Sequence, residues 1–377
     1  RTFAEQHVSD RSVLTLEPGA SVDTDIVYDD VVEAVGASVQ RVYRPWTKDH
    51  TTLTSLLISV GMLAISAGWL ALFPVSIWNA ALGIGFSVVL IALAALLHGK
   101  TMTVQATVIG LTASVFAAVG GYQLASYLVP DQAFHTLPLV GASAGLLVSG
   151  CLMAVAAPST RPYGFIPIII GLLAAIPGIL STLLPSWMAN IWIIATMFAA
   201  LAANALPWMC LSFARISVQS PHSDAEIFAL PIDYAEVKQR YITGSTMLFI
   251  GRVSVATMLL IAMPLLNSLS TPLGAVICLV AFLAMLLDSR QIHTLREMCV
   301  TVSAAGLGII CTGLMSVRMH PEFSIPLTML MLCCALATIV FTHVTRRRSL
   351  FATRMADTAE TLCIMMLPPL AYLAITL

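Results

Sequence analysis

Charge is what this sequence has least of. Only 10% of its 377 residues are Asp, Glu, Lys or Arg, against about 25% in an ordinary soluble domain. Hydrophobic residues make up 58%. A chain of this length cannot surround a core with so few charges, which excludes the soluble globular classes and leaves a polytopic membrane protein. The net charge is −1, so no bulk basic field invites nucleic acid. None of the eight cysteines forms a CxxC pair or stands beside a His or carboxylate cluster. They read as small buried hydrophobes, not disulfides or metal ligands. P-loop, HExxH and dinucleotide fingerprints are all missing, and no cofactor is expected. No Asp or Glu falls in the middle of an apolar run, which argues against a proton- or sodium-coupled transporter. The first fifty residues are polar and hold no signal peptide. The chain opens on Arg1 without an initiator Met, so it is expected to begin partway through a longer protein.

What is present is a series of long apolar runs. A helix needs about 20 apolar residues to cross the hydrocarbon. Such runs fall at 53–73, 78–97, 104–124, 137–157, 164–184, 188–210, 244–266, 271–288, 298–316, 324–344 and 359–377. The eighth is short. Eleven spans put the two ends of the chain on opposite sides. With a cytoplasmic N-terminus, sixteen of the 18 basic residues fall on the cytoplasmic side, only Arg318 falls opposite, and Arg252 lies inside a span. That split obeys the positive-inside rule and supports the odd count. The connections on the far side are short and nearly uncharged, and the longest cytoplasmic connection, 211–243, has a helical pattern over Ala235 to Tyr241.

Few residues inside the runs suggest chemistry. Arg252 lies about 12 Å deep, eight residues into the seventh run at 1.5 Å per residue. Its guanidinium either snorkels back to the headgroups or pairs with a lipid phosphate or a neighbouring subunit. Asn204 and Gln105 are expected to make interhelical hydrogen bonds. The stretch "GASAG" (Gly141 to Gly145) matches G-x-S-x-G, but a nucleophile elbow needs a strand-to-helix turn and a base. This one sits inside an apolar helix, where small residues serve close packing.

Before the runs comes "YDDVVEAVGASVQRVYRPW" (Tyr28 to Trp46). Apolar Val31, Val35, Val39 and Val42 share one helical face. Asp29, Asp30 and Glu33 stand at its start and Arg41 and Arg44 at its end, an order that suits the macrodipole, and Pro45 stops the helix. This stretch resembles the juxtamembrane helix of EccD proteins, the multispanning components of actinobacterial type VII (ESX) secretion systems. "TFAEQHVSDRSVLTLEP" (Thr2 to Pro18) is similar to the close of the ubiquitin-like domain in that family. "ALPWMCLSFARISV", and "RRRSLFATRMADTAETLCIMMLPPLAYLAITL" with Arg354 and Asp357, resemble the family's Leu-Pro exit and its last span. The chain departs from the family at "SDR" (Ser9 to Arg11), where Asp-Gly is common.

The resemblance implies an all-α polytopic membrane protein in which eleven transmembrane helices follow the C-terminal remnant of a cytosolic ubiquitin-like domain. The expected organisation is 1–20 for that remnant, 21–52 for a linker with the juxtamembrane helix, and 53–377 for the transmembrane domain. It implies a non-enzymatic subunit of the inner membrane, paired with a second copy beside EccB, EccC (an FtsK/SpoIIIE-like ATPase) and EccE. Asp30, Glu33, Arg41, Arg44 and Trp46 are then partner contacts, although a solvated linker with dipole-matched charges explains the same pattern. Arg252, Arg346, Arg347 and Arg348 are candidate lipid-headgroup contacts, although orientation alone accounts for the last three. The alternative function is a stand-alone permease for a small or lipidic substrate.

Overall fold

The computed structural model describes residues 48–213, 234–289, 294–339 and 350–376. The candidate residues Asp30, Glu33, Arg41, Arg44, Trp46 and Arg346 to Arg348, and the expected ubiquitin-like remnant, lie outside the described residues. The chain divides into two compact units, Arg1–Leu57 and Ile58–Leu377. Only the opening turns of the first helix are described in the former, where Thr54 Oγ1 donates to His50 O at 2.8 Å.

The described residues form eleven α-helices and no strand. They are α1 (Lys48–Leu72), α2 (Ile77–Gly99), α3 (Thr103–Leu128), α4 (Leu137–Ala156), α5 (Arg161–Leu183), α6 (Met188–Phe213), α7 (Tyr234–Asn267), α8 (Leu273–Asp288), α9 (Leu295–Met319), α10 (Ser324–Ile339) and α11 (Leu350–Thr376). Every apolar run thus carries a helix. Nine, among the described residues, are long and apolar enough to cross a membrane. The other two, α8 and α10, have 16 residues each. At 1.5 Å per residue they reach about 24 Å, short of the roughly 30 Å hydrocarbon. Two helices start earlier than hydropathy alone suggests. Backbone hydrogen bonding continues through polar turns that the apolar count leaves out, so α7 begins at Tyr234 and α11 at Leu350.

Local sequence explains the helix ends. Ser76 is extended (φ −153°, ψ 153°) and its hydroxyl accepts from Asn79 N at 3.2 Å, an N-cap for α2. Pro138, Pro162 and Pro185 occupy first turns, where no N–H is needed.

Packing is sequential from α2 to α5 and then gathers around α7 and α8. The largest core cluster joins Trp192 of α6, Leu259 of α7, Phe282 of α8, Ala305 of α9 and Leu367 of α11, each at most 1% exposed. A helix that is apolar on every side belongs in the centre of a bundle, and α8 is buried on nearly all faces. By contrast α1 keeps Leu57, Met62, Trp69 and Leu72 exposed, an outer surface suited to lipid. One polar side chain holds it: Gln123 of α3, fully buried, donates through Nε2 to Leu70 O at 2.8 Å and to Phe73 O at 3.3 Å. These carbonyls end α1 and have no intrahelical partner of their own.

The small residues of "GASAG" lie where α4 meets α3. A Cβ placed on Gly141 would run into Gly121 O, one on Gly121 into Gly141 O, and one on Gly145 into Ala117 O. Ser143 is 1% exposed and its hydroxyl donates to Leu139 O at 2.8 Å, within its own helix. The motif is a contact between two backbones, as its composition indicates.

Of the cysteines, Cys210 and Cys278 are buried, while Cys151, Cys299 and Cys333 are exposed. Reading all eight as interior is therefore corrected. A thiol is apolar enough to face lipid as readily as protein, so hydrophobicity does not decide the side.

Candidate functional site

A group of polar side chains lies where α5, α7, α8 and α9 meet, at the end of the bundle that carries Arg161 and Arg296. One face of α7 organises it: Ser245, Phe249 and Arg252 follow at steps of four and three, so they share a face. Each holds a residue from another helix.

Arg252 is 6% exposed, and its Nη2 lies 3.0 Å from Asp288 Oδ2. The partner the structure gives it is thus a carboxylate of the same chain. Register accounts for it. Arg252 is fifteen residues before Asn267, the end of α7, and Asp288 is fifteen after Leu273, the start of α8. Two antiparallel helices joined by residues 268–272 bring equal counts to one level, about 22 Å from the turn. Because α8 is short, its terminal carboxylate stops at the depth of Arg252. The pairing satisfies one edge of the guanidinium; Nε and Nη1 are buried with no hydrogen-bond partner.

Glu297 of α9 is 5% exposed and accepts from Ser245 Oγ at 3.1 Å. Arg296 turns the other way. Its guanidinium carbon lies 4.2 Å from the Phe249 ring centre, and its Nη1 donates to Tyr163 Oη at 2.7 Å. A guanidinium over an aromatic face contributes about 0.5–2 kcal/mol, more as water is excluded. Two cations and two carboxylates leave the cluster with no net charge. No nucleophile–base pair arises within it, and among the described residues no group of three His, Cys, Asp or Glu could hold a metal. Its chemistry is to fix helices against one another.

At the opposite end, Ser316 of α9 donates to Asn267 Oδ1 at 2.8 Å, and Asn267 Nδ2 donates to Met263 O at 2.9 Å. This is the interhelical amide bond expected of Asn204. Asn204 instead donates to Ala200 O at 3.2 Å, within its own helix.

His135, in the connection between α3 and α4, is 6% exposed and stands edge-on to Trp192 with ring centres 5.0 Å apart. Its Nε2 is 3.0 Å from Ile261 O; a carbonyl only accepts, so Nε2 carries the proton. Pro264 cannot donate to Leu260 O, and the His135 ring bonds the neighbouring carbonyl, Ile261 O. Trp192 Nε1 donates to His135 O at 3.4 Å. Burial lowers the imidazole pKa from 6.5, against a smaller raising effect of the Ile261 bond. The native state therefore favours neutral His135, while the unfolded chain takes up a proton below about pH 6.5. Stability is expected to fall as pH drops through that value and to level off below the lower native pKa. Thermal unfolding between pH 7.5 and 5 should show this slope, and His135→Gln should flatten it.

Sequence reasoning found Arg252 but missed Asp288, Glu297 and His135. The signal for Asp288 was available in the equal residue counts from the α7–α8 turn. Nothing comparable marked His135.

A bundle of apolar helices with an internal ion pair at one end, and polar starts to α7 and α11, suits a multi-pass membrane component. The EccD-like transmembrane domain matches residues 52–377. The chain belongs to the EccD family. Its fold is similar to a protomer of the ESX-3 core complex, with a TM-score of 0.63 at 14% identity over 97% of this chain and 83% of that one. It is also similar to a chain of the MycP5-free ESX-5 inner membrane complex in its State II. There the TM-score is 0.57 at 12% identity, over 89% of this chain and 79% of that one. No curated protein matches. EccD membership accounts for the membrane-length helices among the described residues. It also makes this a multi-pass component of type VII secretion membranes.

Proposed function

We propose that this EccD-family chain is a non-enzymatic scaffold of a type VII secretion complex, holding the inner-membrane assembly together and docking its ATPase. The observation that carries the reading is the EccD-like domain over residues 52–377, on a bundle whose centre is packed side chains. Further support comes from two recesses between helices, whose linings are almost wholly apolar. Such surfaces suit lipid and helix packing better than a solute route. On this reading the N-terminus is cytosolic and the C-terminus lies across the membrane, as the basic residues are distributed. Residues 1–20 close a ubiquitin-like domain, and 21–52 link it to the membrane. Asp30, Glu33, Arg41, Arg44 and Trp46 contact the motor, and Arg346 to Arg348 hold anionic headgroups. The partners are a second copy and EccB-, EccC- and EccE-type subunits.

The test is affinity purification of the full-length protein from native membranes in mild detergent, followed by mass spectrometry. An FtsK-like ATPase in a megadalton species is the expected outcome. A lone monomer or dimer, under conditions that preserve other complexes, overturns the scaffold role and makes solute transport the next assay.

A further inference from the structure

At the end of the bundle away from the Arg252 cluster, a recess of about 500 Å³ opens beside the last turn of α3. Tyr122, Ser126 and Tyr127 line it from the helix, and Asp131 and Gln132 from the connection that follows. Val75, Val129 and Pro130 complete the wall, so an apolar side adjoins the polar one. No lysine or arginine lines it. Asp131 has no cationic partner among the described residues.

The connection is held in place before any ligand arrives. Asp131 takes a left-handed backbone, φ 63°, which Asp tolerates better than most residues. Thr136 Oγ1 donates to Ala133 O at 2.6 Å, and Gln132 Oε1 lies 3.3 Å from the same hydroxyl. His135, four residues after Asp131, is anchored to Ile261 O and Trp192. A recess built on a pinned loop loses little entropy on binding.

Its chemistry selects one class of ligand. A carboxylate with no counter-charge repels anions. Two phenol rings offer negative faces, and phenols, a hydroxyl and an amide accept hydrogen bonds. An ammonium group satisfies all of these at once. The recess lies at a helix end, where Tyr marks the membrane–water boundary, and the exposed Val75 and Val129 give its wall an apolar surface. We infer that this recess binds the ammonium headgroup of a membrane lipid of the phosphatidylethanolamine type.

The test uses the full-length protein incorporated into vesicles of equal parts phosphatidylethanolamine and phosphatidylglycerol, repurified in mild detergent, with its bound lipid quantified by mass spectrometry. Phosphatidylethanolamine is expected to be enriched about tenfold over phosphatidylglycerol on the protein. Enrichment should vanish when N-acetylated phosphatidylethanolamine replaces it. Asp131→Asn should remove most of it, and so should Tyr127→Leu, at a position 50% exposed where folding is not at stake. Tyr127→Phe keeps the ring and should keep the enrichment. Displacement by soluble phosphoethanolamine would assign recognition to the headgroup alone; retention despite it would assign recognition to the intact lipid. Both support an ammonium site. Equal lipid ratios on the wild-type protein, or unchanged enrichment in both Asp131→Asn and Tyr127→Leu, would overturn it.

Discussion

Replacing Arg252 with Met is expected to destabilise the bundle by about 3–5 kcal/mol, the cost of leaving one member of a buried ion pair behind. Asp288 would be left without its cation in an interior with little water, between helices that cannot part without exposing Leu259 and Phe282. The protein should lose its monodisperse peak in size-exclusion chromatography after mild heating, well below the wild-type temperature. The second arm separates charge from packing. Arg252→Met with Asp288→Leu removes both charges and supplies apolar volume, and such exchanges are often neutral or stabilising. The double variant should therefore recover most of the loss, so the two effects are strongly non-additive. A single variant as heat-resistant as wild type would show that the pair contributes little. Two guanidinium nitrogens without partners already reduce the net value of this pair.

Gly141→Leu should do comparable damage by a different route. A side chain there meets Gly121 O across the α3–α4 contact, so the helices must separate or slide. Overpacking of this kind costs about 1–3 kcal/mol when neighbours can yield. Here the neighbour is backbone inside a helix, which yields least, and the effect should reach or exceed the upper end. Gly306→Ala is the control. Nothing lies within 4 Å of its added carbon, and a helix-interior Gly exchanged for Ala gains up to about 1 kcal/mol. Expression yield and thermal retention of the two variants should move in opposite directions. If both behave alike, the α3–α4 contact is not where the fold depends on glycine.

How much of this was legible in the sequence differs by residue. All eleven helices could be placed, because an apolar run in lipid has no other way to satisfy its backbone, even where, as in α8 and α10, it is short of a full span. The polar start of α7 was marked by the helical pattern over Ala235 to Tyr241, whereas that of α11 was less visible, since hydropathy reports solvent and not hydrogen bonding. "GASAG" was read correctly as a packing surface because Gly, Ala and Ser spaced along a helix have little else to do in a membrane. Gln123 and His135 were missed for one reason. Each bonds a backbone carbonyl on a distant helix, Leu70 O and Ile261 O, and a carbonyl has no residue type to search for. Asn204 misled because an amide in a span serves its own helix as easily as the next.

The sequence by itself determined that this is a membrane bundle and which ends of its helices collect basic residues. Both follow from partition between water and lipid, which acts on each segment independently of its neighbours. Only the tertiary structure decided that Arg252 pairs with Asp288, that Glu297 turns inward while Arg296 stacks on Phe249, and that α8 lies at the centre. Those outcomes depend on how far one helix slides and rotates against another, and that is set by side-chain packing summed over the whole bundle, not by any one segment.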